Sequence, residues 1–360
     1  MLIGVCGGES TRDLPTWRHY LTFSLAICAG KSSVQDFLIK EHGFIPLEVA
    51  QPNSNTVPQR RGHGHVFPSI QELESFATQS WQTNYCTTSI SSASVAETLC
   101  YRPWFLLIHI DAPLSLRWAR YHHKQQTTNN GGRPNSLTLE NFVSQNDNHL
   151  YNSTTSLASL ASHAHLQLLN TASNTAALHS SLRGLNLPDP ARLRPTWDHY
   201  FMTLASLASK RSNCMRRRVG CVLIRNNRVI STGYNGTPRN VLNCNSGGCP
   251  RCNSPAASKG GAALATCLCL HAEENALLEA GRERIGAGDA VLYCDTCPCL
   301  TCSIKIVQVG IGEVVFSRSY YMDEASAKIF REAGVRLRQF SPVREGLVVL
   351  GELGSGAEGR

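Results

Sequence analysis

Two short motifs in the carboxy-terminal half contain residue types that can bind zinc and move protons. One is His271-Ala-Glu273 and the other is Pro298-Cys299-Leu-Thr-Cys302. One imidazole and two thiolates leave the fourth tetrahedral position of zinc open, and water bound there can supply hydroxide near neutral pH. Glu273 follows the histidine closely and could transfer protons without binding the metal. The motifs therefore indicate a zinc-dependent deaminase, in which hydroxide attacks a ring carbon such as C4 of cytosine.

The elements around these motifs would bring them together. The run from His271 to Ala280 contains neither Gly nor Pro, so it predicts a helix that begins at the first motif. Ala290–Cys294 predicts a buried strand, and Pro298 would open a second helix that carries both cysteines. Two helix N-termini would then favour thiolates at one metal. A closed zinc knuckle, or reduced core cysteines, would be the alternative for a Cys-x-x-Cys alone.

Length and composition limit the class of protein. The chain has 360 residues, enough for two domains, and its net charge of +8 suits anionic partners, including phosphorylated small molecules. The sequence shows no apolar run that could span a bilayer and no basic region before the apolar N-terminal residues. Eleven of the 15 cysteines lie between Cys214 and Cys302, which indicates thiols used for metal. We expect a cytoplasmic protein that could also enter the nucleus.

The region from 195 to 342 predicts an α/β domain with a mixed sheet. A helix over Trp197–Lys210 precedes two β-rich runs, Val219–Ile224 and Val229–Tyr234, which predict a hairpin. The two motif-bearing helices, further strands and a helix near residues 324–333 follow. Strands that alternate with helices after an initial hairpin predict a mixed sheet covered by helices.

This region resembles the deoxycytidylate deaminases, in particular the fungal form. The matching segments are Cys214–Cys221, Ile230–Arg239, Gly248–Cys252, Cys267–Arg282, Tyr293–Cys302 and Ser319–Asp323. The resemblance implies a cytidine-deaminase-like αβα sandwich that converts dCMP to dUMP and ammonia for thymidylate synthesis. It also implies activation by dCTP, inhibition by dTTP and a homo-oligomer, often a hexamer, with no stable nucleic-acid partner.

The resemblance also assigns roles to residues. His271, Cys299 and Cys302 would hold the catalytic zinc, and Glu273 would be the general acid and base. Asn235, in a Gly-Tyr-Asn-Gly turn, would contact the sugar and base of the substrate, although Gly and Asn favour turns in any case.

Further cysteines before the catalytic histidine suggest a second, structural zinc. They are Cys214, Cys244, Cys249, Cys252, Cys267 and Cys269. Cys249-Pro-Arg-Cys252 has the spacing of a zinc knuckle, and four thiolates could hold a segment of low apolar content. We favour Cys244, Cys249, Cys252 and Cys267 as the ligands, with Cys214 as a substitute for one of them. Unligated thiols are the alternative.

The amino-terminal region resembles a P-loop kinase domain, which we place at residues 1–185, before a linker at 186–194. Gly30-Lys31-Ser32, followed by a predicted helix, has the ending of a phosphate-binding loop. The loop also requires a glycine five residues before Gly30, where the chain has Leu25. Removal of residues 8–25, which we interpret as a retained intron, would join a strand at Met1–Gly7 to the loop and restore Gly-x4-Gly-Lys-Ser. If the insert is part of the protein, we expect no nucleotide binding at this loop. A degenerate P-loop domain that serves assembly or regulation is the alternative to a kinase.

Two other functions fit parts of this sequence. A polynucleotide cytosine or adenosine deaminase would use the same zinc chemistry on an extruded base, and Tyr320 and Tyr321 could stack on it. A P-loop nucleotide kinase would use the cysteine-rich half as a structural zinc module. We expect residues 343–360, which end in Gly-Ser-Gly-Ala-Glu-Gly-Arg, to form a flexible tail.

Overall fold

A computed structural model describes residues 20–23, 27–50, 64–90, 93–128, 138–151, 157–254, 266–286, 288–319, 324–341 and 346–351. The chain divides into two compact units, one of residues 1–194 with 343–360 and the other of residues 195–342. Over the described ranges, every helix is too short or too polar to cross a membrane.

The first unit is built on a parallel sheet of seven strands in the order β12-β6-β5-β1-β4-β2-β3. The strands are β1 (Tyr20–Phe23), β2 (Ile45–Val49), β3 (His65–Phe67), β4 (Tyr85–Thr87), β5 (Phe105–Asp111), β6 (Leu166–Asn170) and β12 (Gly346–Leu350). The helices are α1 (Lys31–His42), α2 (Ile70–Gln79), α3 (Ala93–Cys100), α4 (Leu114–Thr128), α5 (Leu139–Tyr151), α6 (Leu157–His163) and α7 (Thr175–Leu185).

Helices cover both faces of this sheet. Strand β5 is buried along almost its whole length, as expected for a central parallel strand. Leu106 and Ile108 point to a core shared with α1 and α7, whereas Phe105 and Leu107 point to a second core shared with α2, α3 and α6. The first unit is therefore an α/β domain with a parallel sheet.

Strand β1 changes the expected start of this unit. It lies at the centre of the sheet, parallel to β4 and β5, and consists of residues 20–23, which the sequence analysis assigned to an insert. The predicted strand Met1–Gly7 lies outside the described residues. A loop that ends at Gly30 requires a strand just before it, and Tyr20–Phe23 supplies that strand here.

The predicted linker and the predicted tail are partly ordered, so both predictions were wrong in part. Leu187 is fully buried in the core of the first unit, and Asp189 caps a 3-10 helix at Pro190–Arg192. Strand β12 pairs in parallel with β6, because Val348 and Leu350 pack into the same core. Residues 186–194 and 346–350 therefore belong to the first unit.

The second unit contains a mixed sheet of five strands in the order β11-β10-β9-β7-β8. Its strands are β7 (Gly220–Arg225), β8 (Arg228–Tyr234), β9 (Ala290–Thr296), β10 (Glu313–Arg318) and β11 (Arg336–Gln339). Its helices are α8 (Trp197–Ser209), α9 (Pro250–Asn253), α10 (Ala272–Ile285), α11 (Leu300–Val309) and α12 (Glu324–Glu332). Strands β9, β10 and β11 run parallel, whereas β7 is antiparallel to both β8 and β9.

The sequence of β7 shows why this unit has three layers. Cys221 and Leu223 pack in a core with α10, α11 and α12, whereas Val222 and Ile224 pack against α8 on the opposite face. Alternate residues of a strand point to opposite faces, so a strand that is apolar throughout requires helices on both sides. The mixed α/β sheet predicted for this domain is confirmed.

Candidate metal-dependent active site

His271 stands at the start of helix α10, as the N-cap residue with extended backbone angles. The preceding residue, Leu270, exchanges backbone hydrogen bonds of 2.8 and 3.2 Å with Gly236, which fixes the approach of the chain to the helix. Gly233 of β8 lies so close that a Cβ atom there would be 2.0 Å from the carbonyl oxygen of Ala272. The imidazole is therefore positioned by a strand packed directly against the first turn of its helix.

Cys299 and Cys302 occupy the start of helix α11, which places them beside the histidine. Cys299 is the N-cap residue, and each Sγ lies 3.4 Å from Nδ1 of His271. With bond lengths of about 2.0 Å to nitrogen and about 2.3 Å to sulfur, a tetrahedral zinc site separates such atoms by about 3.5 Å. The three ligand atoms therefore have the spacing of one metal site.

The charge on the thiols also suits a metal. Hydrogen bonding from Cys302 and from His271 outweighs burial and lowers the pKa of Cys299 to about 4. The Cys302 thiol, which shares a proton with Cys299, has its pKa raised. Both residues lie at a helix N-terminus, where the backbone N–H groups favour negative charge. A cation that replaced the shared proton would leave both sulfurs as thiolates.

Glu273 lies in the first turn of α10 and is only 4% exposed. Burial raises the pKa of its carboxyl group, and the nearby His271 counters that effect only in part. The metal-binding group formed by described residues contains His271, Cys299 and Cys302, without this carboxylate. A buried carboxyl group with a raised pKa beside an open coordination position can accept and return protons.

An ion pair joins the two helices that carry the ligands. Lys305 Nζ of α11 lies 2.6 Å from Glu274 Oε1 of α10. Because both side chains are only partly exposed, the pair fixes the spacing of the two helix starts more than a fully solvated pair would.

Asn235 lies in the turn after β8, and its side chain is occupied by the backbone. Its Oδ1 accepts a hydrogen bond from the Val219 N–H at 2.8 Å, and its Nδ2 donates one to the Arg217 carbonyl at 2.7 Å. The next residue, Gly236, is the one paired with Leu270. Asn235 thus lies one residue before Gly236, which pairs with the segment that leads into His271. Among the described residues, one of its two amide hydrogens has no acceptor.

Six cysteines form a second cluster in this unit, which we call the six-cysteine cluster. They are Cys214, Cys244, Cys249, Cys252, Cys267 and Cys269. The ligand atoms form two groups of four, each within 4.8 Å: Cys214, Cys244, Cys252, Cys269, and Cys249, Cys252, Cys267, Cys269. The predicted ligands Cys244, Cys249, Cys252 and Cys267 lie in this cluster but are divided between the two groups.

The sequence analysis did not select Cys269, although both groups contain it. The signal was present in Cys267-Leu268-Cys269, because residues two apart in an extended segment point to the same side. Cys249, which the sequence analysis favoured as a ligand, lies in the cluster. Burial acts to raise the pKa of the Cys249 thiol, but hydrogen bonds from the backbone N–H groups of Cys252 and Leu268 and from the thiols of Cys252 and Cys267 together lower it to about 6.

The candidate phosphate loop in the first unit has part of the expected geometry. Gly30 caps α1 with a φ of 107°, a conformation that favours glycine, and α1 begins with Lys31 and Ser32. The Lys31 amine is half-buried, and burial lowers its pKa. Leu25, Tyr320 and Tyr321 lie outside the described residues.

The fold and the site of the second unit define the class of protein. Residues 195–318 match the family model described as the cytidine and deoxycytidylate deaminase zinc-binding region. A deoxycytidylate deaminase of Mycobacterium phage D29 is 41% identical over 128 residues, which cover 35% of this chain and 97% of the phage protein. The class is thus that of the zinc-binding cytidine and deoxycytidylate deaminases.

Two longer relatives narrow the assignment. Deoxycytidylate deaminase of Schizosaccharomyces pombe is 49% identical over 317 residues, which cover 88% of this chain and 95% of that protein. The Saccharomyces cerevisiae enzyme of the same name is 45% identical over 289 residues, with 78% and 88% covered. The chain belongs to the deoxycytidylate deaminase family, in its fungal form. Both alignments are longer than the second unit, so the likeness extends into the first.

Proposed function

We propose that this protein converts dCMP and water to dUMP and ammonia, at a zinc ion held by His271, Cys299 and Cys302. The observation that carries the proposal is the three-ligand group at two helix starts, with buried Glu273 beside it. A closed structural zinc site has four protein ligands, whereas a catalytic site keeps one position for water. The two fungal relatives, both named deoxycytidylate deaminases, support the choice of dCMP.

The side chains around the zinc position would divide the reaction between them. When bound, zinc supplies a Lewis acid that acidifies water. Glu273 would accept a proton from that water and deliver it to the ring nitrogen N3. It would then accept a second proton from the hydroxyl group added at C4 and deliver it to the departing amino group. Its burial suits this role because the raised pKa of its carboxyl group brings the two protonation states closer in energy. Asn235 would donate its remaining amide hydrogen to the nucleotide.

Purified full-length protein, loaded with zinc and assayed with dCMP, tests the proposal. We expect ammonia and dUMP in equal amounts, with dCTP present as activator. Parallel reactions test the two alternative functions: single-stranded DNA as substrate tests polynucleotide deamination, and ATP plus a nucleoside monophosphate tests nucleotide kinase activity. Absence of ammonia from dCMP, with zinc bound and dCTP supplied, would reject the proposal.

We also propose that dCTP activates this enzyme, that dTTP inhibits it, and that it forms a homo-oligomer. Family membership supports the regulation. Exposed apolar side chains on the two ligand-bearing helices, Leu278 on α10 and Ile304 on α11, support assembly through that helix pair. Analytical ultracentrifugation of the wild type and of Leu278→Glu tests this. An unchanged mass for Leu278→Glu would argue against that interface.

We propose a cytoplasmic location because 14 cysteines have free thiols in the structure. Free thiols persist in a reducing compartment. Fluorescence imaging of the tagged protein would test this, and a location in the secretory pathway would contradict it.

We infer that the first unit is a P-loop kinase-like domain whose loop is interrupted. The central position of β1, the left-handed Gly30 and the start of α1 at Lys31 support the inference. Removal of residues 8–25, the proposed retained intron, would bring the preceding residues 18 positions closer to Gly30, so Leu2–Val5 would have the sequence distance from Gly30 that Tyr20–Phe23 has now. Leu-Ile-Gly-Val is also more apolar than Tyr-Leu-Thr-Phe, as suits a central parallel strand.

Calorimetric titration with magnesium ATP tests the interrupted loop. We expect no binding by the full chain and binding by the variant that lacks residues 8–25. Lys31→Ala in the deletion background should weaken that binding at least about tenfold, because a charge-assisted phosphate contact is lost. Binding by the full chain, or none by a folded deletion variant, would contradict the proposal. Transcripts that all retain these codons would argue against an intron.

A further inference from the structure

The sulfur spacing in the six-cysteine cluster is that of metal coordination. The Sγ–Sγ separations are 3.8 Å for Cys214–Cys252, 3.9 Å for Cys249–Cys267, 3.7 Å for Cys252–Cys267 and 4.0 Å for Cys252–Cys269. Four thiolates arranged tetrahedrally at about 2.3 Å from zinc lie about 3.8 Å from one another. These four pairs therefore have the edge length of a ZnS4 tetrahedron, and the other separations within each group of four are at most 4.8 Å.

Cys252 belongs to both four-sulfur groups, and its contacts show this directly. It lies against Cys214 of the first group and Cys267 of the second, at 3.8 and 3.7 Å. Its contact with Cys269, the other shared member, is 4.0 Å. Two tetrahedra that share the Cys252–Cys269 edge account for all six sulfurs, with two terminal sulfurs left for each metal.

The surroundings of the cluster suit thiolates. The N–H groups of Met215 and Leu268 lie 3.4 Å from the sulfurs of Cys244 and Cys249. Hydrogen bonds to ligand atoms orient them and stabilise their negative charge. Arg251 also interacts with Cys252 and Cys267. Six thiolates around two zinc ions carry a net charge of −2, which a nearby arginine and N–H donors partly offset.

Apolar packing does not explain why the cluster is buried. Its members are cysteines alone, whereas the neighbouring Leu242 and Leu268 are 62% and 47% exposed. Thiols have a smaller apolar surface than leucine and provide little hydrophobic stabilisation. Metal binding would supply the missing folding free energy for this part of the unit.

Other thiol chemistry fits the spacing less well. A disulfide needs about 2.0 Å between sulfurs, and these six cysteines are free. In an iron–sulfur cluster, inorganic sulfide completes the coordination of each iron, so four cysteine sulfurs do not enclose a single metal. Tetrahedral sites built from four sulfurs and no sulfide are typical of zinc.

We propose that the six-cysteine cluster holds two zinc ions in a binuclear Zn2Cys6 site. Cys252 and Cys269 bridge the metals. Cys214 and Cys244 complete one tetrahedron, and Cys249 and Cys267 complete the other. The chain then carries three zinc ions, two in this site and one at His271.

Metal counting on the full-length protein tests the number. The protein is loaded with zinc under reducing conditions, freed of loosely bound metal, and analysed for metal and for protein by amino-acid composition. We expect three zinc ions per chain, and two in His271→Ala, which removes a ligand of the other site only. Two in the wild type would overturn the proposal, as would iron in the cluster. The count does not depend on deamination, so it can fail while the proposed function holds.

Substitutions of the non-bridging cysteines distinguish the binuclear site from a single zinc site with four cysteine ligands. Cys214→Ser and Cys267→Ser alter different tetrahedra, so each should lose at least one zinc ion. A single site at either four-sulfur group would leave one of these two variants with unchanged zinc, which would overturn the proposal. Cys100→Ser, in helix α3 of the first unit, is the matched control and should keep all three ions.

X-ray absorption by the wild-type protein gives a readout that requires no variant. Two metals that share thiolates produce a zinc–zinc scattering contribution that isolated sites lack. We record it on His271→Ala as well, where only the cluster zinc remains. The proposal predicts the contribution in both proteins, with sulfur as the only ligand type in His271→Ala. Its absence from both would overturn the bridging arrangement even if the count were three.

Discussion

Glu273→Gln is the substitution that separates the proton carrier from the metal ligands. Glutamine has nearly the same shape but cannot exchange a proton, so the buried position remains filled. General acid–base catalysis contributes about 10² to 10⁴ in rate. The loss corresponds to about 2.7–5.4 kcal/mol of activation free energy at about 1.36 kcal/mol per factor of ten. The raised pKa of the buried carboxyl group places Glu273 where such a contribution is large, so we expect kcat for dCMP to fall at least about 100-fold.

The matched control is Glu279→Gln, the same chemical change on the same helix. Glu279 is 58% exposed, and its only described ion pair is a 3.8 Å contact with Arg239, which is 93% exposed. Such pairs contribute about 0–1 kcal/mol, so turnover and stability should stay near wild-type values. Stopped-flow dCMP turnover and zinc content are measured on all three proteins. A kcat of Glu273→Gln within about tenfold of wild type would refute the proton-carrier role. Loss of zinc from Glu273→Gln would contradict the claim that this carboxylate does not help to hold the metal.

Three further predictions concern the second unit. Gly233→Ala should lower the free energy of unfolding by about 1–3 kcal/mol and weaken zinc binding, because the new Cβ would meet the Ala272 carbonyl oxygen. Denaturant titration and zinc analysis check this. Gly184→Ala is the control, because its new Cβ would meet nothing within 4 Å. Hydrogen bonds from Arg338 lower the pKa of Asp198. The stability that the ionised Asp198 gives to the fold is therefore complete above about pH 4 and is lost as pH falls through the lowered pKa. Asp198→Asn should therefore lose about 1–3 kcal/mol at pH 7 and show a flatter acid limb of stability, and an unchanged acid limb would contradict this. Chelation of zinc should abolish deamination, and zinc should restore it; turnover that survived complete removal of the metal would exclude the proposed site.

The sequence predicted the second unit well because each local signal agrees with its neighbours. The turn of the hairpin contains Asn226 and Asn227, both with positive φ, which is the conformation that a tight β-hairpin requires. The run from His271 to Ala280 lacks Gly and Pro, and the strand before the second motif is apolar from Ala290 to Cys294. Each of these patterns depends on residues close in sequence, so a three-layer arrangement could be inferred without long-range information.

The six-cysteine cluster shows where such inference ends. Spacing identified Cys249 and Cys252 as a pair, but the remaining ligands come from segments that meet only in the folded chain. Cys214 precedes β7, and Cys269 lies just before α10, so no local pattern could show that Cys252 lies between them. From the sequence, four ligands had to be chosen from six cysteines without knowledge of their contacts. The structure divides the six into two groups of four that share Cys252 and Cys269.

The first unit shows a different limit, because its central strand has two candidate sources. Local pattern favours Met1–Gly7, with its apolar run and closing glycine, and the structure uses Tyr20–Phe23. The sheet constrains the choice only by distance, since either segment must end just before the loop that reaches Gly30. In the chain as it stands, Tyr20–Phe23 is the segment next to the loop, whereas the proposed removal of residues 8–25 would bring Leu2–Val5 to the same sequence distance from Gly30. Sequence distance alone does not decide between the two segments, but only the removal of residues 8–25 would place a glycine, Gly7, five positions before Gly30, as a phosphate-binding loop requires.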